Sequence, residues 1–316
     1  MLRLLTAVVL SLSVATLAQA AAGVADYPMK AEQVADGVYA IVSPATDFPN
    51  EENLGWNSNA AFVITSEGLL VFDTGSSETI GKALLKTIRT VSDAPIKWVI
   101  NSHSHGDHWL GNGAFVAEKP HEMIASDVAI DLMKKNGFEW IGRFSTMSGG
   151  ATGSFTPVPA KDAVTQAMER KFGDLHVQIL FSDHSHSPGD IVFWLPQKKV
   201  LLTGDTMYTG RPPATFDANV QQWIAFLAEM GELQPKVVIP GHGPVAGAES
   251  IASLHDYFDT LWSLVAEGFE AGKMDYEIAP DVKERMKRFE TDYAGLYDRL
   301  GESVSHVYLQ VEEAMF

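Results

Sequence analysis

The segment Asn101-Ser102-His103-Ser104-His105-Gly106-Asp107-His108-Trp109-Leu110-Gly111-Asn112 carries the strongest information on the fold of this chain. It follows an apolar, β-branched run that predicts a strand, so its side chains are expected at the edge of a sheet. Four of its side chains within six positions belong to the types that ligate metals. Burying imidazoles and a carboxylate without partners would cost about 2–7 kcal/mol for each polar group, and a cation supplies a shared partner. The segment therefore predicts a metal site.

The spacing of these four side chains divides them between two ions. Residues two apart on an extended stretch point the same way, so His103 and His105 can hold one ion from one side. Asp107 and His108 follow Gly106, which lets the chain turn, and they can face a second ion close by. Zinc takes about four ligands, so two zinc ions need more ligands than this segment offers. Further ligands are expected downstream.

Three ligand-type residues downstream each come just after a predicted strand: His186, Asp205 and His242. Side chains on loops at strand ends, held by a stiff sheet, are where open-site chemistry is usually found in α/β proteins. The three residues are therefore expected to meet the first segment at one edge of the sheet.

Short apolar runs alternate with helical stretches from Gly37 to about Val245, which indicates an α/β protein. Residues 148–155 are rich in glycine and predict a surface loop. Beyond Gly247, apolar residues recur at helical spacing and predict two to four helices with packing faces. The predicted strands are Val38–Val42, Ala60–Thr65, Leu69–Phe72, Lys97–Asn101, Met123–Ala125, His176–Phe181, Asp190–Leu195, Lys199–Thr203 and Val237–Ile239, and the predicted helices include Glu78–Val91 and Ser126–Lys135.

The ordered ligand-type residues resemble the full ligand signature of the metallo-β-lactamase superfamily: His103, His105, Asp107, His108, His186, Asp205 and His242. The segment Val71-Phe72-Asp73-Thr74-Gly75 is similar to an upstream motif of that family. The resemblance runs from about Gly37 to Val245 and implies a four-layer αββα sandwich, here with a C-terminal helical appendage. The implied organisation is a signal peptide over 1–20, a metallo-β-lactamase-like domain over 21–250 and a helical extension over 251–316.

The resemblance also implies a role for each matching residue. His103, His105 and His186 would hold a first metal; Asp107, His108 and His242 would hold a second; and Asp205 would bridge the two. Asp107 would also manage the proton of the attacking water. Asp73 is expected to hydrogen-bond within the site rather than ligate. Three further candidates for supporting or substrate contacts are His184, Tyr208 and Arg211.

Composition limits the cofactor, the compartment and the partners. Arg3, an apolar stretch and Ala18-Gln19-Ala20 predict a cleaved export signal, so the mature chain is expected in the periplasm or outside the cell, with no membrane contact afterwards. The absence of cysteine leaves His, Asp and Glu as metal ligands, which favours zinc, iron or manganese. Zinc is the expected metal, and the predicted ligand set would hold two ions per chain. A net charge of −17 argues against nucleic-acid binding and leaves a small-molecule substrate as the expected partner. A homo-oligomer stays open.

The expected activity is hydrolysis of an ester, thioester, lactone or lactam by a hydroxide generated between two metal ions. Lactamases proper often carry Cys or Ser where Asp205 stands, whereas aspartate there is similar to the glyoxalase II, lactonase and other general hydrolase branches. The export signal and the helical tail also resemble metallohydrolases that accompany sulfur-oxidation and quinoprotein systems. Three alternatives remain open. The first is a β-lactamase proper, and the second is an oxidoreductase of the same superfamily, either an iron persulfide dioxygenase or a diiron flavoprotein partner. The third is a metal-binding or interaction protein that keeps the fold without turnover. Substrate choice is expected to depend on loops around 46–56, 144–156 and 207–216.

Overall fold

A computed structural model describes residues 27–44 and 48–315 of the 316-residue chain. The predicted signal peptide over 1–20 lies outside the described residues. Within the described ranges, no helix is both long enough and apolar enough to cross a bilayer.

The strands form two sheets. The first sheet has seven strands in sequential order: β1 (Glu32–Ala35), β2 (Val38–Ile41), β3 (Ala60–Thr65), β4 (Gly68–Phe72), β5 (Ile96–Ile100), β6 (Glu122–Ser126) and β7 (Asp162–Val164). The second has five: β8 (Met168–Phe172), β9 (Leu175–His184), β10 (Pro188–Leu195), β11 (Val200–Tyr208) and β12 (Val237–His242). Strands β1–β4 and β8–β11 pair antiparallel, whereas β4–β7 and the pair β11–β12 are parallel.

The helices lie between and after these strands: α1 (Glu78–Arg89), α2 (Gly106–Trp109), α3 (Asn112–Phe115), α4 (Asp127–Met147), α5 (Val220–Glu232), α6 (Glu249–Glu270), α7 (Asp275–Arg285) and α8 (Leu296–Met315). Short 3₁₀ turns occupy Val116–Glu118 and Lys287–Phe289.

The alternation of side chains along the strands builds the layers. In β4, Phe72 packs between the sheets, where its ring lies 5.6 Å from that of Phe193, while Val71 packs outward in the layer of α1 and α4. In β11, Leu202 faces the space between the sheets and Leu201 packs outward with α5 to α8. The layers run helix, sheet, sheet, helix. This confirms the predicted αββα sandwich with C-terminal helices.

The prediction that Asp205 follows a strand was wrong. The strand that begins near Lys199 does not end at Thr203 but continues as β11 to Tyr208, so Asp205 lies within it. The reason is tertiary: β11 pairs with the parallel strand β12 as far as Tyr208 opposite His242.

Two further local predictions differ from the structure: one helix is longer than predicted, and one predicted loop is helical. The helix expected over Ser126–Lys135 extends to Met147, because Gly137 is buried against Trp109 and this packing outweighs the low helix propensity of glycine. The Asp107 segment, expected as a loop, forms the one-turn helix α2, which begins after His105. The last strand ends at His242 and α6 begins at Glu249, while the domain boundary at residue 250 stays a prediction.

Candidate metal centre

The fold brings the seven predicted ligands to one edge of the two sheets. The turn after β5 carries His103 and His105, and α2 carries Asp107 and His108. The others come from the second sheet: His186 from the turn between β9 and β10, Asp205 from β11 and His242 from the end of β12. All seven are buried.

Their ligating atoms form two adjacent groups. His103, His105, His186 and Asp205 form the first, and Asp107, His108 and His242 form the second, with atoms within 4.8 Å of one another in each group. Asp205 lies between them. Its Oδ2 is 3.4 Å from Nε2 of His186 and 3.1 Å from Nε2 of His242, and its Oδ1 is 3.0 Å from Nε2 of His108. The carboxylate is therefore placed where it can contact both groups.

Hydrogen bonds on the far side of two rings of the second group fix which nitrogen faces the cluster. Nδ1 of His108 donates to Oδ2 of Asp73 at 2.8 Å, and Nδ1 of His242 donates to the backbone oxygen of Asn57 at 2.7 Å. Each ring is then protonated on Nδ1 and presents the lone pair of Nε2. Such partners orient metal-ligating histidines and raise their basicity. Asn57 also donates to Oδ2 of Asp107 at 3.0 Å.

The same holds for two rings of the first group. Ser102 donates its hydroxyl to Asp73 and accepts from Nδ1 of His103, which leaves Nε2 of His103 facing the cluster. Nε2 of His105 pairs with Oδ2 of Asp217 at 3.2 Å, so Nδ1 of His105 faces inward, 2.9 Å from Nε2 of His186. Nε2 of His103, Nδ1 of His105 and Nε2 of His186 thus face the same space.

The donor set fits bound divalent cations. Four buried polar atoms of the candidate ligands have no hydrogen-bond partner among the described residues: Nε2 of His103, Nδ1 of His186, Nε2 of His108 and Oδ1 of Asp205. The 3.0 Å approach of the last two lacks the alignment of a hydrogen bond. Buried polar atoms left unpaired are costly, and nitrogen and oxygen donors of this kind suit zinc, iron or manganese. Metal ions would satisfy Nε2 of His103, Nε2 of His108 and Oδ1 of Asp205 at once.

The charges of the cluster call for a positive partner. Burial lowers the pKa of His103 and of His186, which keeps both rings neutral. Burial also lowers the pKa of His108, but the carboxylates of Asp205, Asp107 and Asp73 outweigh it and hold that pKa well above its usual range. Several buried carboxylates thus attract either a proton on the imidazole or a metal cation in its place.

Tyr208 secures the central carboxylate. Its hydroxyl donates to Oδ2 of Asp205 at 2.5 Å, and burial together with the Asp205 charge raises the pKa of Tyr208 well above its usual value. The hydroxyl therefore remains a donor. The backbone of β12 also passes close to the Asp205 carboxylate. A Cβ atom added at Gly241 would lie 2.0 Å from Oδ1 of Asp205, so only glycine fits at this position.

A cleft opens above the cluster. It draws on all three regions expected to govern substrate choice, through Phe48 and Pro49, Phe144, and the segment from Tyr208 to Phe216. Arg211, a predicted substrate contact, lines it. His184 does not line the cleft. Its Nε2 contacts the backbone oxygen of Asp217, and the side chain of Asp217 pairs with the candidate ligand His105.

Several residues that contact the candidate ligands or line the cleft were not predicted from the sequence. Asn57 stands in an Asn-Ser-Asn run just before a buried strand, a polar cluster that could have drawn attention. Asp217, Arg143 and Arg299 carry no local signal, because tertiary packing alone brings Asp217 to His105 and the two arginines to the cleft.

Comparison with known proteins agrees with this geometry. Residues 54–242 match the model of the metallo-beta-lactamase superfamily. A linear primary-alkylsulfatase of Pseudomonas sp. is 28% identical over 58% of this chain, and the match spans 41% of that enzyme's length, less than half. A type 2 metallo-beta-lactamase of Bacillus cereus is 25% identical over 60% of this chain and 68% of its own.

Solved structures agree on the fold. A metallo-beta-lactamase from Pontibacter korlensis superposes with a TM-score of 0.60 at 20% identity, over 73% of this chain and 99% of its own. The family match and the alkylsulfatase and β-lactamase relatives support metal-dependent hydrolase activity. With the family model matching more than half of its residues, the chain belongs to the metallo-beta-lactamase superfamily.

Proposed function

We propose that this protein is a dinuclear zinc hydrolase that cleaves an ester, thioester, lactone or lactam with an activated water. One observation carries the proposal: seven buried His and Asp side chains converge in two adjacent groups, with four rings tied on their far sides so that their free nitrogens face inward. A pair of bound divalent cations would supply water ionisation near neutral pH and polarisation of the scissile bond.

The protein's own residues supply positioning and proton management. Asp107 lines the cleft together with Asp205, and Asn57 donates to its Oδ2, so Asp107 is placed to accept the proton of the attacking water. Asp205 lies between the two groups and is held by Tyr208. Phe216 and Trp140 flank the His105 ring at centroid distances of 5.0 and 5.5 Å and help to exclude bulk water from it.

The metal number separates this proposal from an iron dioxygenase. A one-iron enzyme does not need His108 and His242 as ligands. Here both rings are buried, are held in the ligating tautomer and share a group with Asp107. This arrangement favours two ions. Zinc rather than iron is part of the proposal, and elemental analysis of the purified protein tests it.

A β-lactamase is the second candidate, favoured by the Bacillus cereus relative named metallo-beta-lactamase. We further propose that the chain is exported to the periplasm or the medium and acts there on a small molecule, without nucleic-acid or membrane partners. The export signal predicted from the sequence and the net charge of −17 support this. A homo-oligomer is compatible with the proposal.

The test combines metal quantification with a substrate panel. The purified protein should contain about two zinc ions per chain and should hydrolyse at least one of a lactone, a thioester, a carboxylic ester, a sulfate ester or a chromogenic cephalosporin. His103→Ala should lose metal and activity together, and a chelator should abolish activity that added zinc restores. His255→Ala, in helix α6 away from the cluster, is the matched control. Full activity in His103→Ala would disprove the assignment.

A further inference from the structure

The last helix, α8, contacts a segment beside the candidate metal centre. That segment, residues 215–220, lies between β11 and the first turn of α5 and falls within the residues that match the family model, whereas α8 lies beyond them. Side chains at two places along α8 bind it: Ser303 with His306, and Gln310 one turn further on. A part of the chain outside the family match therefore supports a part inside it.

Gln310 binds the backbone of the segment at two points. Its Nε2 donates to the backbone oxygen of Ala218 at 2.9 Å, and its Oε1 accepts from the backbone N–H of Val220 at 2.8 Å. Val220 is the first residue of α5, where a backbone N–H has no partner within the helix. Between these points, the backbone N–H of Asn219 donates to the backbone oxygen of Ser185 at 3.0 Å. The segment is thus held between α8 and the turn that joins β9 to β10.

A second contact holds the other end of the segment. Oγ1 of Thr215 donates to Oγ of Ser303 at 3.3 Å and lies 3.0 Å from Nδ1 of His306. Thr215 and Ser303 are both buried, and hydrogen bonds are stronger where water does not compete for the same atoms. Helix α8 therefore binds the segment at both ends.

The residues between these two contacts both meet the candidate ligand His105. The Phe216 ring stacks on the His105 ring with the centroids 5.0 Å apart, and Oδ2 of Asp217 pairs with Nε2 of His105 at 3.2 Å. The Asp217 contact occupies Nε2, so that Nδ1 of His105 faces the other ligands. The position of this segment therefore decides which nitrogen of His105 can bind a metal.

The side chain of Asp217 cannot fix this geometry by itself. It is 44% exposed, and pairs that water can reach are weak because solvent screens them and their side chains keep other rotamers. Phe216 is similarly exposed, at 41%. Their orientation toward His105 must come from a backbone that is held in place. The buried contacts with α8 hold it.

We infer that Gln310 is a positioning residue for His105. Through the backbone of residues 218–220 it holds Asp217 against Nε2 of His105, which keeps Nδ1 turned toward the first metal. This inference rests on the proposed function, since it concerns a ligand of the same centre. Helix α8 is then a working part of the metal centre and not only a packing layer.

Gln310→Met tests the inference, because methionine has a similar length and cannot replace either hydrogen bond. Asp217→Ala should weaken zinc binding by the first group ~10-fold or more, since a partner that orients a metal-ligating histidine typically contributes 10–100-fold. Gln310→Met acts one step further away and should weaken it about 3- to 10-fold. Chelator competition measures both losses. ¹⁵N NMR of the His105 ring, with and without added zinc, should show less protonation of Nε2 in both variants.

The double variant separates positioning from a general effect on stability. If Gln310 acts through Asp217, adding Gln310→Met to Asp217→Ala should weaken zinc binding by less than ~2-fold more, because the second change removes an effect that is already lost. If Gln310 only stabilises the fold, the two losses should multiply. Thr215→Val breaks the other contact with α8 and should show the same dependence on Asp217. It keeps the test open if Gln310→Met does not fold.

Ser305→Ala is the matched control on the same helix. The Ser305 hydroxyl donates to Oδ2 of Asp275 at 2.6 Å, which ties α8 to the first residue of α7 and not to the segment beside His105. This variant should lower the thermal midpoint and leave the zinc affinity and the His105 ring unchanged.

The outcomes distinguish this inference from the proposed function. An unchanged zinc affinity and an unchanged His105 ring in Gln310→Met, or losses that multiply in the double variant, would overturn the inference and leave the hydrolase standing. Zinc binding that responds as expected, without hydrolysis of any panel substrate, would overturn the proposed function and support the positioning role. A protein that binds no zinc would also overturn the proposed function, and the ring proton of His105 in the metal-free protein would then decide the inference.

Discussion

Substitution of Asp73 by Asn tests how the second group of ligands is held. The Asp73 carboxylate accepts three hydrogen bonds: from the Ser102 backbone N–H at 2.8 Å, from the Ser102 hydroxyl at 2.9 Å and from Nδ1 of His108 at 2.8 Å. In Asp73→Asn the amide oxygen can keep the Ser102 N–H, so the amide NH₂ faces His108. Two donors then oppose each other. His108 can relieve this only by moving its proton to Nε2, which removes the lone pair from the cluster.

The expected loss follows from the role of such partners. Removing a carboxylate that orients a metal-ligating histidine typically weakens metal binding 10–100-fold, or about 1.4–2.7 kcal/mol. We expect Asp73→Asn to bind its second metal that much more weakly, while the first ion, which His103, His105 and His186 face, is affected less. Chelator competition gives the two affinities, and ¹⁵N NMR of the His108 ring reports the tautomer directly.

Asp190→Asn is the matched control. Asp190 is also a buried carboxylate with three donors, but two are the hydroxyls of Ser185 and Ser187 and the third is the backbone N–H of Ser187. A hydroxyl can rotate and accept from an amide, which an imidazole cannot do without changing tautomer. Asp190→Asn should therefore keep both metals. Unchanged metal affinity in Asp73→Asn, or an equal loss in Asp190→Asn, would refute the tautomer argument.

Two further substitutions probe Asp205. Tyr208→Phe removes the hydroxyl that donates to its carboxylate; since a hydrogen bond to a charged group is worth about 1.5–3 kcal/mol, metal affinity should fall ~10-fold or more, with no change in the far-UV circular dichroism spectrum. Unaltered affinity by chelator competition would show that the hydroxyl does not support the site. Gly241→Ala forces a Cβ to within 2.0 Å of Oδ1 of Asp205 and should lower the thermal midpoint and the metal content together. Gly142→Ala, at an open position in α4, should instead raise stability by about 0.5–1 kcal/mol, and a similar response of both alanine variants would contradict the steric account.

The sequence by itself determined the set of candidate metal ligands and the α/β class of the fold. The sequence alone shows the spacing of the ligand-type residues from His103 to His108. It also shows the order in which His186, Asp205 and His242 follow them. Short apolar runs, such as the one that includes Val71 and Phe72, are likewise local. They sufficed to indicate an α/β protein, and the resemblance carried by the ordered ligand-type residues supplied the αββα sandwich.

Only the tertiary structure decided what surrounds the ligands. The backbone of Asn57 fixes His242 across a separation of 185 residues, and Asp217 reaches His105 across 112. Arg299 enters the cleft from the last helix. Such contacts depend on sheet register and on how the helices pack, which no local period encodes. Strand β11 runs past Asp205 for the same reason: its partner β12 continues alongside it and sets its length.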